Sequence, residues 1–507
     1  MKNHIKNNRV VGVDLGTTYT VAAYLDDSGK PKVIPNLDGD LKTPSVVYFG
    51  RKGKERLVGN AARNMQCIEP DRTLLEFKRD VGTDRDYFAD GGESITPEVC
   101  LMEVLKYVRQ CAVKYFDDDL AASEAVVSVP AYFRENERQC VKHAAESAGI
   151  SVISLVNEPT AAGLAYNINA TKGDQLVEVL DFGGGTFDAS LISFAGGEAN
   201  VLATHGDKQL GGKDVDDIMM AMVQEAFRRE HSLDFSQSSH PADWFAIRDQ
   251  VITQKHALSS RTEAKLCARV DGKAVALNIT RQMLNEAIKP LMERAERIML
   301  ETVNNAKAEK SDIKHVLLVG GSSRLHAFQA TVRQVFGPDA VVNGQTSPDL
   351  AIAEGAALLA AMLVVSSGKS LVGDALQAIP APTVKYTDVM SHSLGVGVQY
   401  RNSSATFCSV ILEKNTPTPC QAAKLYGSVD DRQTRFRVLV LQGENGQSIE
   451  ECLVVGEREL DLPARRSTEP SIECAMGYDA SGMAKITVRD LISGKTEDIT
   501  VDFYTKK

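Results

Sequence analysis

The sequence predicts an α/β protein in two parts: a two-lobed, internally duplicated α/β domain, then an antiparallel β-sandwich. Three observations carry this. The octapeptide Asp181-Phe182-Gly183-Gly184-Gly185-Thr186-Phe187-Asp188 follows an apolar run, 176–180, and far upstream a second run enters a turn of the same make, Asp14-Leu15-Gly16-Thr17-Thr18-Tyr19. A third apolar run, 316–319, ends in Gly320-Gly321-Ser322-Ser323-Arg324. Beyond residue 389 helical periodicity gives way to short runs between turn signals.

The turns share one chemistry. Glycine lets backbone N–H groups reach phosphate oxygens with no Cβ between them, and aspartates suit Mg²⁺, which keeps several of its waters. A single such turn also fits an ordinary tight hairpin, as the lesser alternative. Three of them, each after a buried strand, point to duplicated halves closing on a nucleotide from both sides. Their separation is too long for a solenoid repeat.

Composition bounds the function. At 507 residues the chain exceeds one hydrophobic core, and 43% apolar with 24% charged residues is the make-up of a soluble globular protein. A net charge of −10 argues against nucleic acid as a partner. The nine cysteines are scattered without a C-x-x-C pair, and Cys100, Cys111 and Cys452 sit in apolar contexts, so free buried thiols in a reducing cytoplasm are expected. The polar start, 1–8, is no secretory signal, and the apolar run 351–365 carries Glu354 and is short for a bilayer, so it reads as a buried helix and the protein as cytoplasmic, with no membrane partner. Gly368-Lys369-Ser370 is no Walker motif, because Leu363 stands where its upstream glycine belongs.

Taken in order, 9–24 reads strand, turn, strand, and 48–58 reads as strands with a charged hairpin. Helices are expected at 97–115 and 134–148, with a strand at 125–129 ended by Pro130 and a helix opened by Asn157-Glu158-Pro159. After Asp188 come a strand pair, a glycine-punctuated loop at 206–212, and helices at 215–230 and 246–260. A short hairpin turns at Asp271-Gly272, one long helix is expected over 281–308, and a helix over 347–365 closes the first domain, 1–365. Residues 366–388, with Pro380-Ala381-Pro382, read as an exposed connector. Strands are then expected at 407–412, 422–427, 435–441, 471–476, 484–488 and 498–503, within a β-sandwich of residues 389–507.

At this point the residues resemble the Hsp70 (DnaK-like) chaperone family over nearly the whole chain. The first domain is similar to the family's actin-like, ribonuclease-H-like duplicated ATPase domain through the three turns, Phe77-Lys78-Arg79, Val129-Pro130-Ala131-Tyr132-Phe133, Asn157-Glu158-Pro159-Thr160-Ala161-Ala162 and Gly211-Gly212. The second resembles its peptide-binding β-domain through Ser393-Leu394-Gly395, Lys414-Asn415-Thr416, Val440-Leu441-Gln442-Gly443-Glu444 and Asp479-Ala480-Ser481-Gly482.

The resemblance implies ATP or ADP with Mg²⁺, K⁺ being a further candidate, and slow hydrolysis. It implies that Asp14 and Asp181 hold the metal through water and that Gly16, Thr17, Thr18, Tyr19, Gly183, Gly184, Gly185 and Thr186 cradle the phosphates. Lys78 would reach the γ-phosphate, and Glu158 and Asp188 would orient the attacking water. Gly211, Gly212, Lys255, Ser259, Gly320, Gly321, Ser322, Arg324 and Asp349 would hold adenosine. Pro130, Arg138 and Asp388 fall where the family couples its domains. Val396, Tyr426, Val429, Phe436 and Val438 fall along its peptide channel, with the sandwich's own core as the competing reading for alternating apolar residues. The implied partners are extended polypeptides and a J-domain co-chaperone.

The sequence also departs from the family. It stops at Lys507, which leaves the β-domain without its helical lid and implies fast peptide release. Val384-Lys385-Tyr386-Thr387-Asp388 replaces a run of leucines, so weaker docking of the connector is expected. Ser154 replaces an arginine that helps receive the J-domain, and the hairpin at Asp271 is short for the usual exchange factor. Ile252 and His256 replace a glutamate and an arginine at the adenosine, which implies weaker nucleotide binding, and Phe436 is larger than the usual pocket residue. A lidless Hsp70-like chaperone is the reading. An actin-fold small-molecule kinase, or a nucleotide-gated regulatory module with negligible turnover, are the alternatives.

Overall fold

The computed structural model describes residues 4–6, 9–51, 55–88, 93–167, 174–342, 347–372, 385–399, 405–464, 470–479 and 483–499. The duplication expected from the turns appears as repeated topology. In the first lobe the strands run Ser151–Asn157, Glu124–Val129, Val10–Leu15, Tyr19–Leu25, Pro31–Ile34, with two parallel pairings followed by two antiparallel ones. In the second they run Val341–Val342, Ile313–Val319, Gln175–Phe182, Phe187–Ala195, Glu198–Asp207, with the same parallel and antiparallel order. The turns at Asp14 and Asp181 therefore each sit at the head of a hairpin in the middle of a sheet, whereas Gly320 ends the parallel strand Ile313–Val319 and leads into the helix His326–Phe336.

The helices Glu158–Asn167 and Ala351–Ser366 fill the space between the sheets, in one apolar cluster that draws Val10 and Val126 from the first and Val179 and Val319 from the second. Their contact has no room for a side chain: a Cβ on Gly355 would lie 1.7 Å from the Ala161 carbonyl oxygen. Among the described residues no helix is long and apolar enough to cross a membrane. All nine cysteines are free, Cys67 and Cys267 being exposed.

Two expectations for helices and strands are corrected. The helix expected over 281–308 is broken into Arg281–Ala287 and Lys289–Asn305. Pro290 lacks the N–H that a continuous helix would need and occupies the first turn of the second segment, where that donor is free in any case. A strand at Leu453–Asp461 was not expected, because Glu457, Arg458 and Glu459 break its apolar alternation. It is a sheet edge, where charged side chains are usual.

Two four-stranded sheets form the C-terminal sandwich: Thr406–Leu412, Leu394–Gln399, Arg435–Gln442, Leu453–Asp461 in one, and Cys420–Tyr426, Ile472–Tyr478, Ala484–Asp490, Thr496–Ile499 in the other. Of the strand expected at 498–503, residues 500–503 lie outside the described residues, as do 373–384 of the connector and the turn residues 480–482.

The end of the connector is ordered. Lys385–Val389 is a strand that pairs in parallel with Glu198–Asp207 and on its other side with Pro417–Thr418, so it extends the second lobe's sheet toward the sandwich. Main-chain pairing holds this strand on both sides, and Lys385 meets Glu198 at 3.4 Å. The sandwich is seated on the first domain. Glu135 N donates to Gln442 Oε1 at 3.2 Å, Ala484 N donates to Glu135 Oε1 at 3.2 Å, and Thr204 N donates to Asn415 Oδ1 at 3.2 Å.

Candidate nucleotide site

Asp14 lies at the end of the strand Val10–Leu15, and Ser128 donates to its Oδ1 at 3.2 Å. Asp181 and Asp188 face each other across the second hairpin, a directly opposed like-charged pair that is unfavourable unless neutralised. Glu158 opens its helix one residue after the strand Ser151–Asn157, and its Oε1 receives Lys78 Nζ at 2.6 Å in a buried ion pair. Four carboxylates thus share one lysine. Burial, with Glu158 nearby, pushes Asp14 up to about 7 and Asp188 up to about 8. Burial and the neighbouring carboxylates hold Asp181 well above the usual carboxylate range. Tyr132 N donates to Asp188 Oδ1 at 3.1 Å, and Asp188 Oδ2 is buried with no partner among the described residues. Buried carboxyl groups that resist ionisation for want of a counter-charge fit a hydrated Mg²⁺, a hard cation that takes oxygen ligands and would favour their charged form.

The two lobes meet through their turns. A Cβ on Gly184 would lie 2.0 Å from Thr18 Oγ1, and one on Gly185 would lie 2.5 Å from Thr17 Oγ1. Only glycine allows the approach. Gly183 N donates to Thr186 O at 3.0 Å, and Ser322 Oγ and Gly212 N donate to Gly183 O at 2.7 and 3.0 Å, which ties the second turn to the other glycine segments. Gly320 adopts φ +76° directly behind Asp181.

Between the lobes runs a cleft with an inner space of about 90 Å³, lined by Asp14, Gly16, Thr17, Lys78, Glu158, Asp181, Gly183 and Thr186. It shares Thr18, Tyr19, Lys42, Gly184, Gly321 and Asp349 with an outer space of about 410 Å³, which Gly212, Lys255, Ser259, Ser322 and Arg324 also line. Gly211 caps the helix Gly212–His231, and a Cβ there would lie 2.6 Å from Gly184 O. Lys255 Nζ reaches Asp216 Oδ1 at 2.7 Å and Gly212 O at 2.9 Å. Arg324 grips Asp349 with two nitrogens, at 3.2 and 2.9 Å, and these contacts, with Lys42 beside it, hold Asp349 below the usual carboxylate range despite its burial. Ile252 and His256 line the outer space, and burial beside Lys255 pulls His256 below its ordinary range.

The residues expected to couple the domains form one chain of contacts. Arg138 Nη2 donates to Asn157 Oδ1 at 2.5 Å, Asn157 Nδ2 donates to Asp388 Oδ2 at 3.0 Å, and Tyr386 OH donates to the same oxygen at 2.6 Å. Burial raises Asp388. Pro130 ends the strand Glu124–Val129, and its carbonyl accepts from Phe133 N at 3.1 Å. Of the expected channel residues, Val396, Phe436 and Val438 lie in the apolar core of the sandwich, Tyr426 is half-buried with its OH 3.1 Å from Ser409 Oγ, and Val429 is exposed.

Sequence reasoning missed several participants. Arg79 is one of these: its Nε and Nη2 hold Gly185 O at 3.0 and 2.6 Å and its Nη2 reaches Asp214 Oδ2 at 2.6 Å. Its adjacency to Lys78 was the available signal. Lys42, 3.5 Å from Asp349, and Asp216 gave none, being single charged residues in unremarked segments.

A duplicated two-lobed domain with glycine turns facing across a cleft, followed by a seated β-sandwich, is the architecture that the comparisons with known proteins address. The family model "Hsp70 protein" matches residues 10–90 and 87–506. The chaperone protein DnaK of Thermotoga neapolitana is 32% identical over 503 residues, 98% of this chain and 80% of that protein, and that of Thermosipho melanesiensis is 31% identical over 502 residues, with the same coverage. The chain belongs to the Hsp70 family. Its function is that of an Hsp70-like chaperone, in preference to a small-molecule kinase or a purely regulatory module.

Proposed function

We propose that residues 1–365 hydrolyse ATP in this cleft and that residues 389–507, linked through 366–388, use the nucleotide state to change their hold on extended apolar polypeptide. The observation that carries this is the buried Lys78–Glu158 pair at 2.6 Å, set among three further carboxylates and one residue from Asn157, which holds Asp388.

The chemistry follows from charge. The transferred phosphoryl group gains charge on its equatorial oxygens, and a fixed cation such as Lys78 Nζ favours that state. Glu158 keeps the ammonium in place. Asp188, with one oxygen held by Tyr132 N and the other without a partner among the described residues, is disposed to orient the attacking water and take its proton. Mg²⁺, when held by Asp14 and Asp181 through water, would draw charge off the phosphate oxygens. Gly16, Thr17, Thr18, Tyr19 and Gly183 to Thr186 would surround the phosphates, with adenosine against Gly211, Gly212, Lys255, Ser259, Gly320, Gly321, Ser322, Arg324 and Asp349.

On the same reading Pro130, Arg138 and Asp388 pass the nucleotide state to the sandwich, where Tyr426 and Val429 face the client while Val396, Phe436 and Val438 lie in the apolar core. A J-domain protein is a further partner of this reading, without a contribution from Ser154, which is buried and lines the interdomain cavity. Replacing Lys78→Ala tests the site. Single-turnover hydrolysis is expected to fall by about 10²–10³-fold while nucleotide is still bound. Unchanged turnover in the variant, or no turnover in the parent, overturns the hydrolytic reading.

A further inference from the structure

Two of the free cysteines, far apart in sequence, meet on the C-terminal sandwich. Cys408 is buried in the strand Thr406–Leu412, at one edge of its sheet. Cys452 is half-buried between the short helix Ile449–Glu451 and the strand Leu453–Asp461, which forms the other edge. The segment 443–452 brings them together by folding back along the first edge. Cys408 N donates to Gln447 O and Gly446 N donates to Cys408 O, both at 2.8 Å, and Val410 N donates to Asn445 Oδ1 at 3.2 Å. Both sulfurs then close on Gly443. Cys408 Sγ donates to its carbonyl at 3.8 Å, and a Cβ there would lie 2.4 Å from Cys452 Sγ. The two thiols are within hydrogen-bond reach of each other and share one apolar cluster with Val410, Leu439 and Leu441.

Main-chain pairing has thus closed the loop between positions 408 and 452 before any bond joins the sulfurs. The ordering that opposes cross-linking in an open chain is already met, and each thiol faces the other at high effective concentration. The two differ in access. Cys408 is 1% exposed, so only Cys452 can meet a reagent from solvent. They differ in acidity as well: burial pushes Cys408 up to about 12, whereas at Cys452 the hydrogen bond with Cys408 opposes the effect of burial. The thiolate is the nucleophile in exchange, so Cys452 reacts first and the reaction quickens as pH rises.

We propose that Cys408 and Cys452 are a reversible dithiol–disulfide couple, oxidised by a small-molecule disulfide of the glutathione class. The Cys452 thiolate attacks one sulfur of that disulfide, whose S–S bond breaks, and one small thiol leaves after taking up a proton. Cys408 then gives up its proton and attacks Cys452 Sγ, which expels the second small thiol. The protein thiols lose two electrons and two protons, and the small disulfide gains both. The new bond ties the segment 443–452 to the strand Thr406–Leu412. Gln442, at the root of that segment, accepts from Glu135 N of the first domain, so oxidation fixes a part of the sandwich that seats it on that domain.

The test uses the full chain with the exposed Cys67→Ser and Cys267→Ser, which removes links between molecules. The folded protein is equilibrated in mixtures of glutathione and its disulfide, alkylated, digested with trypsin without reduction and weighed by mass spectrometry. Peptide 402–414 is expected joined to peptide 438–458 with the loss of two hydrogens, and excess reduced glutathione should separate them. With Cys408→Ala, Cys452 is expected to stop at the mixed disulfide with glutathione. Amide exchange across 443–452 should slow by about threefold or more on oxidation of the parent and stay unchanged with Cys452→Ala. A folded parent that yields no linked peptide at any glutathione ratio overturns the inference. A link that forms only in urea, or that joins either cysteine to a different one, overturns it too. Unchanged exchange across 443–452 in the linked protein would show that the bond fixes nothing, and would overturn the role given to it.

Discussion

Glu178 lies mid-strand in Gln175–Phe182, between Leu191 and Val316 on the neighbouring strands, and neither of its buried carboxyl oxygens has a hydrogen-bond partner among the described residues. Burial alone raises its pKa well above 4.5. The folded value exceeds the unfolded one, so the carboxyl's contribution to stability is fully present below the ordinary glutamate range and is lost as pH rises through the folded value. Glu178→Leu is expected to stabilise the protein by about 1–3 kcal/mol, by an amount larger at pH 8 than at pH 5. Urea unfolding of parent and variant at the two pH values checks this; an equal difference at both would show that the carboxyl does not titrate. Its place at the centre of the apolar run 176–180 was the local signal that both its faces are buried. The aspartates at 14, 181 and 188 were legible because glycines and a buried strand frame each turn, whereas the 80 positions between Lys78 and Glu158 hid their pairing.

At the scale of elements, glycine and proline explain both what was read and what was missed. The three turns were visible because a strand that runs into glycines has few other uses. Pro290 was equally visible and should have divided the helix expected over 281–308. Gly355 was not readable as special, since a glycine in an apolar helix gives no sign of what crosses it. Its place is set by the Ala161 carbonyl, and Gly355→Ala should push the helices Glu158–Asn167 and Ala351–Ser366 apart. The expected cost is about 1–3 kcal/mol, as for other overpacked cores. A lowered thermal midpoint would follow, and an unchanged one would mean that the two helices are not in contact at this point. The connector shows the opposite case: composition marks 366–388 as loop, but a free sheet edge at Glu198–Asp207 recruits Lys385–Val389 as a strand.

For the whole molecule, the contact chain from Arg138 through Asn157 to Asp388 and Tyr386 spans from the residue beside Glu158 to the root of the sandwich. Above it, Tyr132 donates its N–H to Asp188 and accepts at its carbonyl from His392 at 3.0 Å. Replacing Asp388→Ala removes the acceptor shared by Asn157 and Tyr386. Labelled extended peptide should then dissociate at the same rate with ATP as with ADP, while single-turnover hydrolysis persists. An ATP-accelerated release as large as the parent's would show that coupling runs through other contacts.

The sequence by itself determined the fold class, the duplication, the position of each glycine turn and the family. These are local matters, set by strand composition, by the freedom of glycine and by the chemistry of residues adjacent in the chain. Only the tertiary structure decided which charges share a site, that Val396, Phe436 and Val438 lie in the sandwich core, and that the end of the connector is a strand. Those outcomes depend on which surfaces meet when two lobes and a sandwich pack, and the Glu76–Arg248 pair, joined across 172 positions, has no counterpart in any local pattern. A cleft between lobes is made by closure, and closure is a property of the assembled chain.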